Sequence, residues 1–178
     1  MMATSTVPSE LLTHLKHLEP EAYFNYRSPL VFSSSGASYY TKLGLPSEKE
    51  QYTGESESLK AIEAAAPGLA PKVLTSGVND SDGTPFFISE YKHISTLTSN
   101  GSQKLAERLA KELHAYTSSQ GYGFHVPTFC GPTRLKNGFF ETWEQCYDTM
   151  IGDLLEGLRH RSGINATLCH KGELIREK

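Results

Sequence analysis

Glycine is nearly missing from the start of the chain. Gly36 is the only one in the first 43 residues, so a phosphate-cradling loop of the GxGxxG kind is absent there or heavily altered. Basic charge is not in excess either: 17 lysines and arginines face 20 aspartates and glutamates, for a formal net charge of -3. That balance argues against a nucleic-acid footprint, which needs a basic surface. Cysteine is sparse, and Cys130, Cys146 and Cys169 form no CxxC pair, so reduced thiols in a cytoplasmic or similar compartment are expected. No run approaches the roughly 20 apolar residues that span a bilayer, and polar Met1 to Ser9 has no basic segment leading into an apolar one. No membrane partner is therefore expected.

What the chain does have begins at Tyr39. Tyr39 to Leu43 carries the aromatic and β-branched residues of a half-buried strand, with Lys42 on the same face as Tyr40. After a break at Gly44-Leu45-Pro46, Ser47 is a candidate N-cap for a helix reaching Ala66, with Glu48 and Glu50 in its first turn. Tyr52, Glu55, Leu59, Ile62 and Ala66 follow one another at spacings of three and four, the stripe of an inward-facing helix. A carboxylate on that stripe calls for a cation, because burying it alone costs several kcal/mol. The strand lysine Lys42 is the nearest preceding candidate, and such a pair serves the phosphates in a kinase-type nucleotide site. An ordinary structural ion pair is the alternative on spacing alone.

Around this centre, Ser9 caps a first helix with Leu11, Leu12, Leu15 and Leu18 on one face, ended by Pro20. His14 and His17 on that helix read as a solvated flank rather than metal ligands. Residues 21–29 read as irregular chain, Leu30 to Phe32 as a strand, and Ser33 to Gly36 as the turn into the Lys42 strand. Ala70 to Leu74 reads as a short extended segment, Asn79 to Gly83 as a tight turn, and Phe86 to Tyr91 as the strongest buried strand. A Ser/Thr-rich connector follows. A helix is expected from about Ser102 to Ser119, with Leu105, Leu109, Leu113 and Tyr116 on one face and Gly121 as C-cap; His114 sits beside that face as a core or edge residue. Irregular chain then leads to an amphipathic helix opened by Trp143, and the tail from Arg159 to Lys178 is polar.

In order and spacing, several segments resemble the fructosamine and ketosamine-3-kinases, the protein-ribulosamine 3-kinases of the wider protein-kinase-like fold. They are Tyr-Tyr-Thr-Lys at Lys42, Tyr-Thr-Gly-Glu-Ser-Glu-Ser-Leu around Glu55 and Phe-Ile-Ser-Glu-Tyr-Lys at Glu90. Further on come Leu-Ala-Lys-Glu-Leu-His at His114, Tyr122 to Gly131, and Thr-Trp-Glu-Gln-Cys-Tyr around Trp143. The resemblance implies an α+β fold: an N-lobe over residues 1–92 with an antiparallel sheet and one helix, a connector over 93–101, and a partial helical C-lobe over 102–178. It implies that Lys42 contacts ATP phosphates, that Glu55 holds Lys42, and that Glu90, Tyr91 and Lys92 form the hinge beside adenine. The implied reaction is ATP- and Mg²⁺-dependent phosphorylation of the 3-hydroxyl of a ketosamine, on glycated protein or as a small molecule, in protein deglycation.

The departures matter as well. The family's His-Gly-Asp-Leu-Trp segment, its Gly-Asn and its later metal-binding aspartate have no counterpart here, so no catalytic or metal-binding residue is assigned. Cys169 to Leu174 is a poor substitute, since a lysine interrupts its His-Gly pair; it reads as the start of a helix preceding the catalytic loop of longer relatives. A non-catalytic fragment or pseudokinase that binds nucleotide or a partner chain is therefore the second expectation. A relative acting on an aminoglycoside or choline is the third.

Overall fold

The computed structural model describes residues 6–160 and 166–176, and expectations for residues 1–5, 161–165 and 177–178 lie outside it. Contacts divide the chain into two compact units after Tyr116.

The first unit is a five-stranded antiparallel sheet between two helices. Helix α1 (Ser9–Leu18) leads into strands β1 (Phe24–Arg27), β2 (Leu30–Ser33) and β3 (Ser38–Leu43). A 3₁₀ turn at Pro46–Glu48 precedes helix α2 (Lys49–Ala65), and β4 (Val73–Val78) and β5 (Pro85–Glu90) complete the sheet. The strand order is β1-β2-β3-β5-β4. Strand β5 therefore lies inside the sheet, and Pro85 to Ser89 are buried without alternation, which explains its continuous apolar run. Residues paired across antiparallel strands share a face. Val31 pairs with Tyr39, Leu43 with Phe86, and Thr41 with Ile88. This face packs on Leu11 and Leu15 of α1, each fully enclosed side chain contributing roughly 1.5–3 kcal/mol. Tyr40 and Lys42 share the opposite face with Phe87, toward Tyr52 of α2.

Local chemistry shifts several expected boundaries. Pro8, not Ser9, holds the cap position of α1, and its carbonyl accepts from the amides of Leu11 and Leu12. Ser47 falls inside the 3₁₀ turn, where the Glu48 carboxylate accepts from the Leu45 amide at 2.7 Å. His14 is half-buried and stacks on Phe86, with ring centroids 4.3 Å apart, so it is a packing residue. β1 replaces irregular chain, because its Phe24 and Tyr26 find their partners only across the sheet. The helix expected near Ser102 begins earlier, as α3 (Ser99–Arg108), with Thr98 accepting from the Gly101 amide. It ends in a π-helical turn at Leu109–Leu113, closed by the His114 amide on the Leu109 carbonyl. The wider turn breaks the apolar stripe, and Leu105, Leu109 and Tyr116 are exposed.

In the second unit a hairpin nests inside a wider one: β7 (Thr128–Cys130) pairs with β8 (Thr133–Leu135), and β6 (Tyr122–Phe124) pairs with β9 (Gly138–Phe140). Three-residue strands are too short to show alternation, so this segment reads as irregular from sequence. Helix α4 (Trp143–Arg159) starts with a capping box in which Thr142 and Gln145 bond each other's backbone amides. Helix α5 (Ala166–Arg176) is tied to it by the Arg176 guanidinium on Asp148, at 2.8 and 3.1 Å, and by Arg159 on Glu173.

Candidate functional site

Lys42 sits near the end of β3, one residue before the strand stops at Leu43. Its register partner Phe87 and the α2 residues Tyr52 and Glu55 surround it. The Lys42 ammonium donates to Glu55 Oε2 at 2.5 Å. It also lies 4.9 Å from the centroid of the Tyr52 ring and 5.8 Å from that of Phe87. Tyr40 and Tyr52 each lie beside Phe87, at 6.4 and 6.2 Å between centroids, so an aromatic floor underlies the charge.

The pair is less enclosed than the helix periodicity suggests. The side chains of Lys42 and Glu55 keep 33% and 38% of their accessible surface, while the deeply buried residues of α2 are Tyr52, Gly54 and Ser56. Solvent therefore screens the attraction, which adds little to stability, and leaves the ammonium reachable by an anion. Burial, followed by the charges of Glu48 and Glu55, raises the Tyr52 phenol above its ordinary pKa. The ring stays neutral at physiological pH.

The other expected residues gather at the far end of β5. Glu90 pairs with Tyr39, three residues along the ladder from the Lys42–Phe87 pair, a separation of about 10 Å. The odd offset places the Glu90 side chain on the opposite face of the sheet from Lys42. Its Oε1 accepts from the Lys92 ammonium at 2.6 Å and from the Lys72 amide at 2.9 Å. The Lys92 bond first, then the Lys72 amide, hold this carboxyl below its usual range. The Glu90 amide donates to the Lys72 carbonyl at 3.0 Å and the Tyr91 amide to the Ser38 carbonyl at 3.3 Å. Those two donors are thus committed within the sheet, and the exposed backbone from Lys92 onward is what remains for a ligand. The structure joins Lys42 to Glu55 and Glu90 to Lys92, two clusters on one pair of strands.

Spacing alone passes over Tyr52 and Phe87 as contacts of Lys42, and Gly44 as the residue that admits the Tyr52 ring. A Cβ built on Gly44 would lie 2.6 Å from Tyr52 Cε2 and 3.0 Å from Pro85 Cγ. The available signal was a glycine just past the lysine, facing a tyrosine three residues before the glutamate. Among the described residues no group of three His, Cys, Asp or Glu side chains is placed to hold a metal ion.

A lysine on the third strand of a sheet ordered β1-β2-β3-β5-β4, gripped by a carboxylate from the next helix, defines a kinase-like framework. Comparison with known proteins agrees with that class. The fructosamine kinase family profile matches residues 25–175, and the chain belongs to this kinase family. A crystal structure from Haemophilus somnus 129PT, assigned as a fructosamine-3-kinase, superposes with a TM-score of 0.66 at 19% identity; the alignment covers 88% of this chain and 51% of that one. The chain thus spans about half the length of the solved protein it matches, and at that identity the likeness shows the fold alone. Comparison with curated proteins gives no significant match. No helix among the described residues is long and apolar enough to cross a membrane.

Proposed function

We propose that this chain carries the ATP-facing part of a ketosamine kinase, a phosphotransferase acting on the 3-hydroxyl of a ribulosamine or fructosamine in protein deglycation. The acceptor is a glycated protein or a small ketosamine, and the compartment is the cytoplasm. Residues 1–92 form the nucleotide-binding lobe, 93–101 the connector, and 102–178 part of the helical lobe. The Lys42 ammonium neutralises phosphate oxygens, Glu55 fixes its direction, and the hinge of Glu90, Tyr91 and Lys92 meets the adenine through backbone groups other than the two amides bonded within the sheet. In the reaction the acceptor oxygen bonds to the γ-phosphorus, ADP leaves, and the hydroxyl proton passes to a base. The observation that carries the reading is the 2.5 Å Lys42–Glu55 pair on the sheet face covered by α2, in a chain of the fructosamine kinase family.

A second reading is favoured by the missing His-Gly-Asp-Leu-Trp segment: the chain binds nucleotide, or a partner chain, without transferring phosphate. Thermal unfolding with ATP, and a transfer assay with a fructosamine acceptor, test both. ATP at a hundredfold excess over its Kd stabilises the native chain by about 2.7 kcal/mol, a rise of several degrees in Tm, and leaves Lys42→Ala unmoved. No shift in the native chain overturns both nucleotide readings. Phosphate transfer to the acceptor overturns the second reading.

A further inference from the structure

Tyr52 is buried at 7% relative exposure, yet its ring lies under the charged and partly exposed ammonium of Lys42. An ammonium has three N–H donors. In Lys42 one is taken by Glu55 Oε2, and the ring faces of Tyr52 and Phe87 occupy a second side at 4.9 and 5.8 Å. The exposed remainder of the lysine is left for an incoming anion. A ring face carries partial negative charge and attracts the cation without consuming a hydrogen bond. Glu55 alone fixes one direction of a flexible side chain; the ring beneath it fixes another.

Backbone space is reserved for this ring. Gly44 follows the end of β3, and any larger residue there would place its Cβ 2.6 Å from Tyr52 Cε2 and 2.7 Å from Cζ. The Gly44 amide is itself held, donating to the Pro85 carbonyl at 2.9 Å, so the backbone cannot swing aside freely. The stretch that carries Lys42 thus fixes the approach of the ring that orients it.

We propose that Tyr52 is a positioning residue of the nucleotide site: its ring, admitted by Gly44, sets the pose of the Lys42 ammonium so that its free donors face phosphate. This rests on Lys42 being the phosphate contact. The ordering of lysine is then complete before nucleotide arrives, which lowers the entropic cost of binding.

Two readouts on the full chain test it. In lysine-labelled protein, with the Lys42 signal assigned by its loss in Lys42→Arg, the ε-methylene protons of Lys42 resonate upfield of the other lysines through the ring current. They remain there in Tyr52→Phe and move to the ordinary position in Tyr52→Leu and Gly44→Ala. ATP affinity falls about three- to tenfold in Tyr52→Leu and stays within about twofold in Tyr52→Phe. An ordinary Lys42 shift in the native protein overturns the proposal even if no variant folds. So does a Tyr52→Leu protein that loses stability while keeping the upfield shift and native ATP affinity, the behaviour of a ring that only fills space. If the native chain binds no ATP, the phosphate reading fails and with it the nucleotide role of Tyr52, while the ring-current measurement still shows whether the pose exists.

Discussion

Each unit of the molecule contains a lysine–carboxylate pair, and the two are enclosed in opposite ways. In the first unit both partners are partly open, Lys42 at 33% and Glu55 at 38% exposure. In the second, Lys136 is 58% exposed while Asp153 keeps only 5%. Asp153 Oδ2 also accepts from the Lys136 backbone amide at 2.6 Å, and the Lys136 ammonium is shared with Glu156 at 3.0 Å. Asp153 therefore fastens the β8–β9 turn to α4, an interaction between groups that are already satisfied. Lys42 rests on one carboxylate and two rings, with donors to spare. The same chemical pair is a structural fastening in one setting and, on the proposed reading, an anion-accepting site in the other, and enclosure and remaining hydrogen-bond capacity decide which.

The largest effect that separates the units lies in the backbone of the second. Gly123 has φ +139°, and a Cβ there would stand 1.8 Å from the Gly138 carbonyl oxygen on the paired strand. Gly123→Ala must unpair β6 from β9, at a cost of about 3 kcal/mol or more from backbone strain and collision together. Trp143 is the single tryptophan, and it touches Tyr122 of β6 at 6.3 Å between centroids. Its fluorescence reports this unit, and the urea midpoint it reads should fall sharply in the variant. An unchanged midpoint would refute the β6–β9 ladder.

A smaller effect belongs to the first unit and depends on pH. Glu19, just past α1, accepts from the Tyr39 phenol and from Ser33 Oγ at 2.9 Å, joining the helix to the turn between β2 and β3. Burial and then the Glu19 carboxylate push the Tyr39 phenol up to about 12. A phenol ionises near 10 in the unfolded chain, so this contribution is complete below pH 10 and is lost as the pH rises toward 12, on the order of 2 kcal/mol in all. Bonds from Ser35 first, then Tyr39, lower the Glu19 pKa; its contribution is present above the ordinary carboxylate range and fades as the pH falls below it. Unfolding measured from pH 9 to 12 should lose less stability in Tyr39→Phe than in the native chain. Equal losses would show that the phenol does not titrate with folding.

How far the sequence discloses this depends on the range over which each signal is written. β3, α2 and α4 carry several apolar residues in one period and β5 a continuous apolar run, and Glu55 stands out because it occupies a place in such a period. The Lys42–Glu55 contact was legible for that reason, although the expected burial was too deep: the deeply buried residues of α2 are Tyr52, Gly54 and Ser56, with Gly54 on the side away from the other two, and small or polar residues carry no periodic signal. The nested hairpins were not legible, since three residues cannot display alternation; β1 was passed over although Phe24 and Tyr26 alternate with Asn25 and Arg27, because so short a pattern has its partners elsewhere in the chain. The fit between Gly44 and Tyr52 is a matter of tenths of an ångström across two elements, with no signature in spacing. The end of β5 was legible as a strand end; that the Glu90 and Tyr91 amides are bonded to Lys72 and Ser38 follows only from the register.

The smallest stability effect is the one that tests the opening contrast most directly. Asp153→Ala removes a buried carboxylate and leaves the Lys136 amide without its acceptor, and the loss read by Trp143 fluorescence should be about 1–3 kcal/mol. Glu55→Gln keeps the size of its side chain and removes a charge that solvent already screens, so stability should change by less than about 1 kcal/mol. ATP affinity should order them the other way, falling in Glu55→Gln as the Lys42 ammonium loses its charged partner and unchanged in Asp153→Ala while that protein remains folded. A Glu55→Gln chain as unstable as Asp153→Ala, with native ATP affinity, would make both pairs structural. The aromatic floor under Lys42 would then be ordinary core packing, because nothing would be gained by holding an ammonium in place for a phosphate it does not meet.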